Sequence, residues 1–186
     1  MKYWTIQTKS VMKMIEEDGI YQPDFNRSRY LNNNAKLKDL YYIILNSFNR
    51  INKTNLPGVV FSFAKRENDR IYSIKTIEEF EDFIKTKREV INSFWEEIDK
   101  ENSVIIELDY ADDFNPIFID INDFQFLMPP FCVLPPYSIE SFDRILTDIQ
   151  HGNITFSEFP SYVIQAHLPY IGKQNVVMTY PVFRLD

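Results

Sequence analysis

Apolar residues recur at helical spacing in several parts of the chain. In the clearest part the steps are three or four positions, which is the period of one helix face, and Pro57-Gly58 ends the pattern. The residues of this stripe are Leu37, Leu40, Tyr41, Ile44, Leu45, Phe48 and Ile51. Weaker stripes predict further helices over residues 11–15, 77–84, 91–98 and 139–149.

Side chains that favour helix N-termini stand before these stripes. Thr8 or Ser10 precedes the first stripe and Ser138 precedes the last, so each can accept a hydrogen bond from a free backbone N–H group. Thr76 is followed by a glutamate at the spacing of a capping box, and Thr86 begins a second such pair. We expect Thr86 to mark the point where the helix restarts.

Short runs of β-branched and aromatic residues predict strands. They lie at residues 3–7, 20–22, 59–63, 103–109 and 117–120, and later in "YVIQAHL", "QNVVMTY" and "VFRL". The stretch "NRSRYLNNN" predicts a surface loop and "AKRENDR" a charged turn. Paired prolines in "MPPFCVLPPY" predict an extended segment that crosses the molecule.

The order of these elements predicts the fold class. Helices come early and strands gather late, which favours an α+β fold. With 186 residues, of which 45% are hydrophobic and 16% aromatic, the chain has ample material for one buried core. We therefore predict a single α+β domain over residues 1–186, with a mixed or mainly antiparallel central sheet flanked by several helices.

Composition also bounds the compartment and the partners. No apolar run approaches the ~20 residues of a membrane span, and the N-terminus lacks the apolar region of a signal peptide. Cys132 is the only cysteine, which suits a reducing compartment, so we expect a cytoplasmic protein. The net charge of −7 disfavours extended nucleic-acid binding but permits a partner that carries a basic groove.

Few residues offer recognisable catalytic or metal-binding chemistry. His151, His167 and Cys132 are too few for a structural zinc site, and the four isolated glycines form no phosphate-binding loop. A nucleophilic Cys–His pair remains an alternative to a structural cysteine. A group of acidic residues offers oxygen ligands for magnesium, but its spacing fits no known loop, so we favour a solvated acidic turn and predict no metal: Asp109, Asp112, Asp113, Asp120 and Asp123.

Three stretches carry a resemblance to a known family. "YWTIQT" followed by "GIYQPD" resembles the start of an uncharacterised family of bacterial and phage proteins, a domain of unknown function that opens with an aromatic-Trp-Thr-Ile-Gln strand. "VIIELDYADDFNPIFIDINDF" and "YVIQAHLPYIGKQNVV" resemble later strands of that family. Together these pieces cover about a third of the chain.

The layout also resembles, more distantly, small ADP-ribosyltransferase-like domains. The resemblance implies that a first-strand residue, here near Thr5, contacts NAD, and that a late-strand glutamate stabilises the developing ribosyl cation. Here Gln165 stands near the second place, and glutamine carries no negative charge. The resemblance therefore implies a ligand- or nucleotide-binding domain with degenerate catalytic positions, which takes NAD or a related nucleotide.

We expect the ligand cleft to lie between the first strand and the Gln165 strand. Aromatic faces would stack on a base and amides would read its edge, and the candidate residues are Trp4, Gln7, Tyr30, Gln165 and His167. A core position for Trp4 and an ordinary strand position for His167 are the competing interpretations. The alternative function is an acidic protein-interaction module, such as a phage- or mobile-element-encoded inhibitor or antitoxin that acts on a basic partner.

Overall fold

An antiparallel sheet of seven strands forms the centre of the molecule. The computed structural model describes residues 1–111, 113–130, 132–155 and 158–185. The strands are β1 (Lys2–Thr8), β3 (Val60–Glu67), β4 (Arg70–Tyr72), β5 (Ser103–Asp109), β6 (Ile117–Asp120), β7 (Val163–Leu168) and β9 (Val176–Pro181). Their order is β6-β7-β3-β1-β5-β9, with β4 paired to β3, while β2 (Ile20–Tyr21) and β8 (Ile171–Gly172) form a separate pair.

Seven α-helices surround this sheet within the described part of the chain. They are α1 (Lys9–Asp18), α2 (Arg29–Asn32), α3 (Ala35–Asn52), α4 (Ile77–Thr86), α5 (Arg88–Glu96), α6 (Ile121–Leu127) and α7 (Ile139–His151). A 3-10 helix, Lys173–Asn175, precedes β9. Helices and an antiparallel sheet together confirm the predicted α+β class.

The predicted helix caps are found at three of the four places. Thr8, Thr76 and Ser138 each accept a hydrogen bond from a backbone N–H group of the first turn, and Ser138 exchanges bonds with Ser141 in a capping box. The prediction for Thr86 is wrong, because its hydroxyl donates to the Asp82 carbonyl oxygen at 2.7 Å, within α4. Helix α5 begins beyond it without a side-chain cap.

Several segments differ from the sequence-based expectation. The stretch "AKRENDR" forms the hairpin of β3 and β4, and its turn is confined to Asn68, which has a left-handed backbone conformation, and its neighbour. Lys65 of this hairpin forms an ion pair with Glu79 at 2.6 Å. The expected loop "NRSRYLNNN" contains α2, which Ser28 caps. The run "VFRL" forms no strand; Phe183 instead packs on the Trp95 ring, with 4.7 Å between ring centroids.

The proline-containing segment joins α6 to α7 without helix or strand in its described residues. Val133 and Leu134 are exposed there, as is Pro130, whereas Pro129 is half-buried. Phe131 lies outside the described residues. The segment therefore runs along the surface rather than through the core.

Two clusters of buried apolar residues lie on one face of the sheet. The first cluster packs beneath α3, α6 and α7 and includes Leu37, Ile44, Phe48, Ile117, Ile119, Phe124 and Ile145. The second cluster packs beneath α4 and α5 and includes Trp4, Phe63, Phe80, Ile91, Trp95 and Ile105. A third cluster fills the opposite face, where Val11 and Ile15 of α1 cover the sheet.

The first two clusters meet along β7. The strand register places Gln165 between Ile119 of β6 and Phe63 of β3. Since directly opposed residues in antiparallel strands share a face, Gln165 points toward the helices and stands at the boundary of the two clusters. The same argument places His167 in that row, opposite Phe61. We call this boundary the seam.

None of the described helices has the length and apolar composition that a membrane span requires.

Trp4 is a principal packing residue of the second cluster, and its truncation tests the fold. The indole is fully buried, donates to the Ile74 carbonyl oxygen at 2.8 Å and stacks on Phe80 at 4.9 Å. We expect Trp4→Ala to lower the free energy of unfolding by about 3–5 kcal/mol, measured by urea titration. Tyr30→Ala, at an exposed aromatic, should cost less than about 1 kcal/mol. Equal losses in the two variants would contradict this packing.

Candidate functional site

A cavity of about 590 Å³ opens on the helical face of the sheet, at the seam. Helices α3, α5 and α6 form its walls, and β3 and β7 form its floor. Its described aromatic lining residues are Tyr30, Tyr41, Phe61, Phe94 and Phe124, and its aliphatic ones are Leu37, Ile98, Ile121, Met128, Pro129 and Pro130. Its described polar lining residues are Ser93, Glu97, Gln125 and Gln165. We call this space the apolar cavity.

Gln165 places an unsatisfied amide in the floor of the apolar cavity. The side chain is only 6% exposed, and Oε1 is buried without a hydrogen-bond partner among the described residues. A buried polar group without a partner costs about 1–3 kcal/mol. Apolar residues flank it on both neighbouring strands, so packing holds the amide in the floor of the apolar cavity.

His167 is the second polar side chain of the seam. It is 2% exposed, and its Nε2 has no partner among the described residues. Burial lowers the pKa of His167 to about 3, so the ring is neutral near pH 7. It lies behind Phe61, with 6.4 Å between the ring centroids, and does not line the apolar cavity.

Two tyrosines stand at the side of the apolar cavity. Tyr30 is 61% exposed at its mouth, whereas Tyr41 is held by edge contacts with Phe25 and Phe124. Burial, with a smaller contribution from Tyr30, raises the pKa of Tyr41 to about 12. The Tyr41 hydroxyl therefore keeps its proton at neutral pH and can donate it in a hydrogen bond.

A second cavity of about 630 Å³ adjoins the first. Tyr30, Tyr41 and Phe61 line both cavities. Gln7 of β1 and the residues that follow α1 line the second cavity. Because many of its lining groups are polar, we call it the polar cavity.

The five residues predicted to form a cleft are distributed over four places. Tyr30 and Gln165 line the apolar cavity, and Gln7 lines the polar cavity together with Tyr30. His167 is buried in the seam, and Trp4 lies within the second cluster, lining neither cavity. The structure thus brings Tyr30 together with each glutamine in turn.

Trp4 and Gln165 lie on the same face of the sheet but do not line a common cavity. Phe63 pairs with Trp4 on one side and with Gln165 on the other, and its buried ring fills the space between them. Thr5 points to the opposite face, since successive strand residues alternate, and its hydroxyl donates to the Phe61 carbonyl oxygen at 2.7 Å. Thr5 and Gln165 therefore do not face a common ligand.

Sequence reasoning missed most of the aromatic lining. Tyr41, Phe94 and Phe124 lie in apolar helical stripes, where the pattern predicts core residues. The hydroxyl of Tyr41 inside such a stripe is the one sequence signal that distinguishes it. Phe61 gave no comparable signal, because alternation along a strand does not reveal which positions border a cavity.

The acidic residues that the structure describes belong to no cluster suited to a metal ion. Among the described residues, no three histidine, cysteine or carboxylate side chains are arranged to bind a metal ion. Asp120 instead accepts hydrogen bonds from the Ser161 hydroxyl at 2.8 Å and from the Asn122 backbone at 3.0 Å, which fastens the chain before β7 to the start of α6. Asp112 lies outside the described residues.

Comparisons with known proteins add no relative to this picture. The chain matches no protein-family model, no curated protein and no solved structure. The resemblance to the uncharacterised family and to ADP-ribosyltransferase-like domains therefore stays a prediction.

Replacing the Gln165 amide tests whether it is unsatisfied. Gln165→Met keeps the side-chain length and removes the polar group, so we expect the free energy of unfolding to rise by about 1 kcal/mol in urea titration. Gln150→Met, at an exposed position of α7, is the matched control and should change stability by less than about 0.5 kcal/mol. A marked loss of stability in Gln165→Met would show that the amide has a protein partner.

The buried His167 predicts a loss of stability in mild acid. Its pKa is lowered from 6.5 to about 3 in the folded protein, so below pH 6.5 the unfolded chain takes up a proton that the folded protein does not. Stability therefore falls as the pH drops from 6.5 toward 3, and we expect a loss of about 2 kcal/mol between pH 7 and pH 5.

Urea titrations of His167→Leu at the same two pH values provide the comparison. The variant has no titrating ring at this position, so its loss should be smaller than that of the natural protein by about 2 kcal/mol. His151→Leu, at an exposed histidine, should retain the full loss. Identical pH dependence in the natural protein and His167→Leu would contradict the neutral buried ring.

Proposed function

We propose that this domain binds a small heteroaromatic ligand of the nucleobase type in the apolar cavity. The single observation that carries the proposal is the buried amide oxygen of Gln165, Oε1, which has no hydrogen-bond partner among the described residues and belongs to a side chain in the floor of a cavity with aromatic walls. A ligand that pairs with this amide relieves its desolvation penalty. Binding then replaces a cost of folding with a specific contact.

The chemistry of the amide favours a ligand edge that carries one donor and one acceptor. Glutamine offers both groups side by side, and the same pairing joins glutamine to the edge of adenine in nucleic-acid recognition. Every nucleobase presents such an edge. The aromatic walls supply the complementary faces, because Tyr30, Tyr41 and Phe61 lie at the junction where a planar ring can stack.

The charge of the apolar cavity supports a neutral ring. Glu97 is the one charged side chain among its described lining residues. A cavity of this kind holds an uncharged base in preference to an anionic group. Its volume of about 590 Å³ lies within the range typical of small-molecule sites.

The proposal assigns binding and no reaction. It retains the nucleotide-related part of the expectation drawn from the sequence, whereas the ADP-ribosyltransferase-like ancestry and NAD as ligand stay predictions. The alternative function, an acidic module for a basic protein partner, also stays a prediction. Neither is needed to explain the unsatisfied amide.

Calorimetric titration with free nucleobases tests the proposal. Adenine, hypoxanthine, cytosine and uracil are added in turn to the natural protein, and we expect at least one to bind. Gln165→Met should weaken the affinity for that base by about tenfold or more, since the loss of a buried amide contact corresponds to about 1.4 kcal/mol or more. Gln150→Met should bind as the natural protein does.

Two outcomes would overturn the proposal. One is the absence of binding by all four bases to a protein that circular dichroism shows to be folded. The other is a base whose affinity is the same for the natural protein and for Gln165→Met, because the ligand would then lie elsewhere.

A further inference from the structure

The polar cavity shares Tyr30, Tyr41 and Phe61 with the apolar cavity, so the two spaces are neighbours. Its remaining walls come from β1, the end of α1, β2 and the loop that leads to α2. A ligand whose ring pairs with Gln165 would project any substituent toward this second space. The chemistry of the polar cavity therefore bears on what that substituent is.

The two glutamines of the polar cavity offer more acceptors than donors to a ligand. Gln7 uses its Nε2 to donate to the Thr5 hydroxyl at 2.9 Å. Gln22 uses its Nε2 to donate to the carbonyl oxygens of Gly58 at 3.1 Å and Pro169 at 3.0 Å. An amide nitrogen carries two N–H groups, so the contacts of Gln22 occupy both of its donors, whereas Gln7 keeps one; the side-chain carbonyl oxygens of both residues can accept from a ligand.

The charged side chains of the polar cavity also favour a ligand that donates hydrogen bonds. Asp18 and Asp24 line it, and Arg27 is the one cation among its described lining residues. Two carboxylates against one guanidinium leave a net negative charge, which opposes a phosphate and favours a donor such as a hydroxyl group. Carboxylates accept hydrogen bonds from ribose hydroxyls in dinucleotide-binding folds for the same reason.

We infer that the ligand of this site is a nucleoside, with its base in the apolar cavity and its ribose hydroxyls donating to the acceptors of the polar cavity. The inference rests on the proposed function, because the Gln165 amide is the observation that places the base. Asp18 is the acceptor that we assign to the ribose. A phosphate has no place in the arrangement.

A matched series of ligands separates the base from the sugar. Adenine, adenosine, dideoxyadenosine and adenosine monophosphate are titrated into the natural protein by calorimetry, with the corresponding cytosine compounds in parallel. We expect the ribonucleoside to bind about tenfold more tightly than the free base, from hydrogen bonds to charged acceptors. The dideoxynucleoside should lose that gain, and the monophosphate should bind less tightly than the nucleoside.

Substitutions on α1 provide the matched controls. Asp18→Asn should reduce the affinity for the ribonucleoside and leave that for the free base unchanged. Glu16→Gln removes the same charge from an exposed side chain of α1 that is not part of the polar cavity lining, and should change neither affinity.

The outcomes distinguish this inference from the proposal on which it rests. If a free base binds through Gln165 but the hydroxyls add nothing, or the monophosphate binds more tightly than the nucleoside, the inference is overturned and the proposed function stands. If neither base nor nucleoside binds, both fail.

Discussion

The register between β3 and β7 is the constraint on which the candidate site depends. It places Phe63 opposite Gln165 and Phe61 opposite His167, and β6 places Ile119 and Ile117 on the other side. A shift of one residue would turn both polar side chains to the opposite face of the sheet. The observed register instead holds them between two apolar clusters, where Gln165 Oε1 and His167 Nε2 have no hydrogen-bond partner among the described residues.

This seam explains why the cavity lies where it does. The helices over β6 and those over β1 pack as separate groups, and the apolar cavity occupies the space between α3, α5 and α6. Gln165 and His167 reduce the folding stability of the seam. Such a loss of stability is expected where buried polar groups serve ligand binding.

The sequence predicted the elements with strong periodicity, such as α3 and β5, because their apolar positions dominate their packing. It missed α6, whose cap Asp120 precedes a helix with apolar residues on most sides, and it read the charged β3–β4 hairpin as a turn. For the site, residue type identified Gln165 and Tyr30. Residue type also suggested Trp4, which lines neither cavity, because residue type alone does not show which face of a strand borders a cavity.

The most direct test of the account is the NMR signal of the Gln165 side-chain amide, assigned by its disappearance in Gln165→Met. Addition of a saturating nucleobase or nucleoside should shift this signal and produce nuclear Overhauser contacts between the amide protons and the ligand ring. An amide signal that stays unchanged through the full panel of ligands, or one that shows contacts to a protein partner in the free protein, would contradict the account.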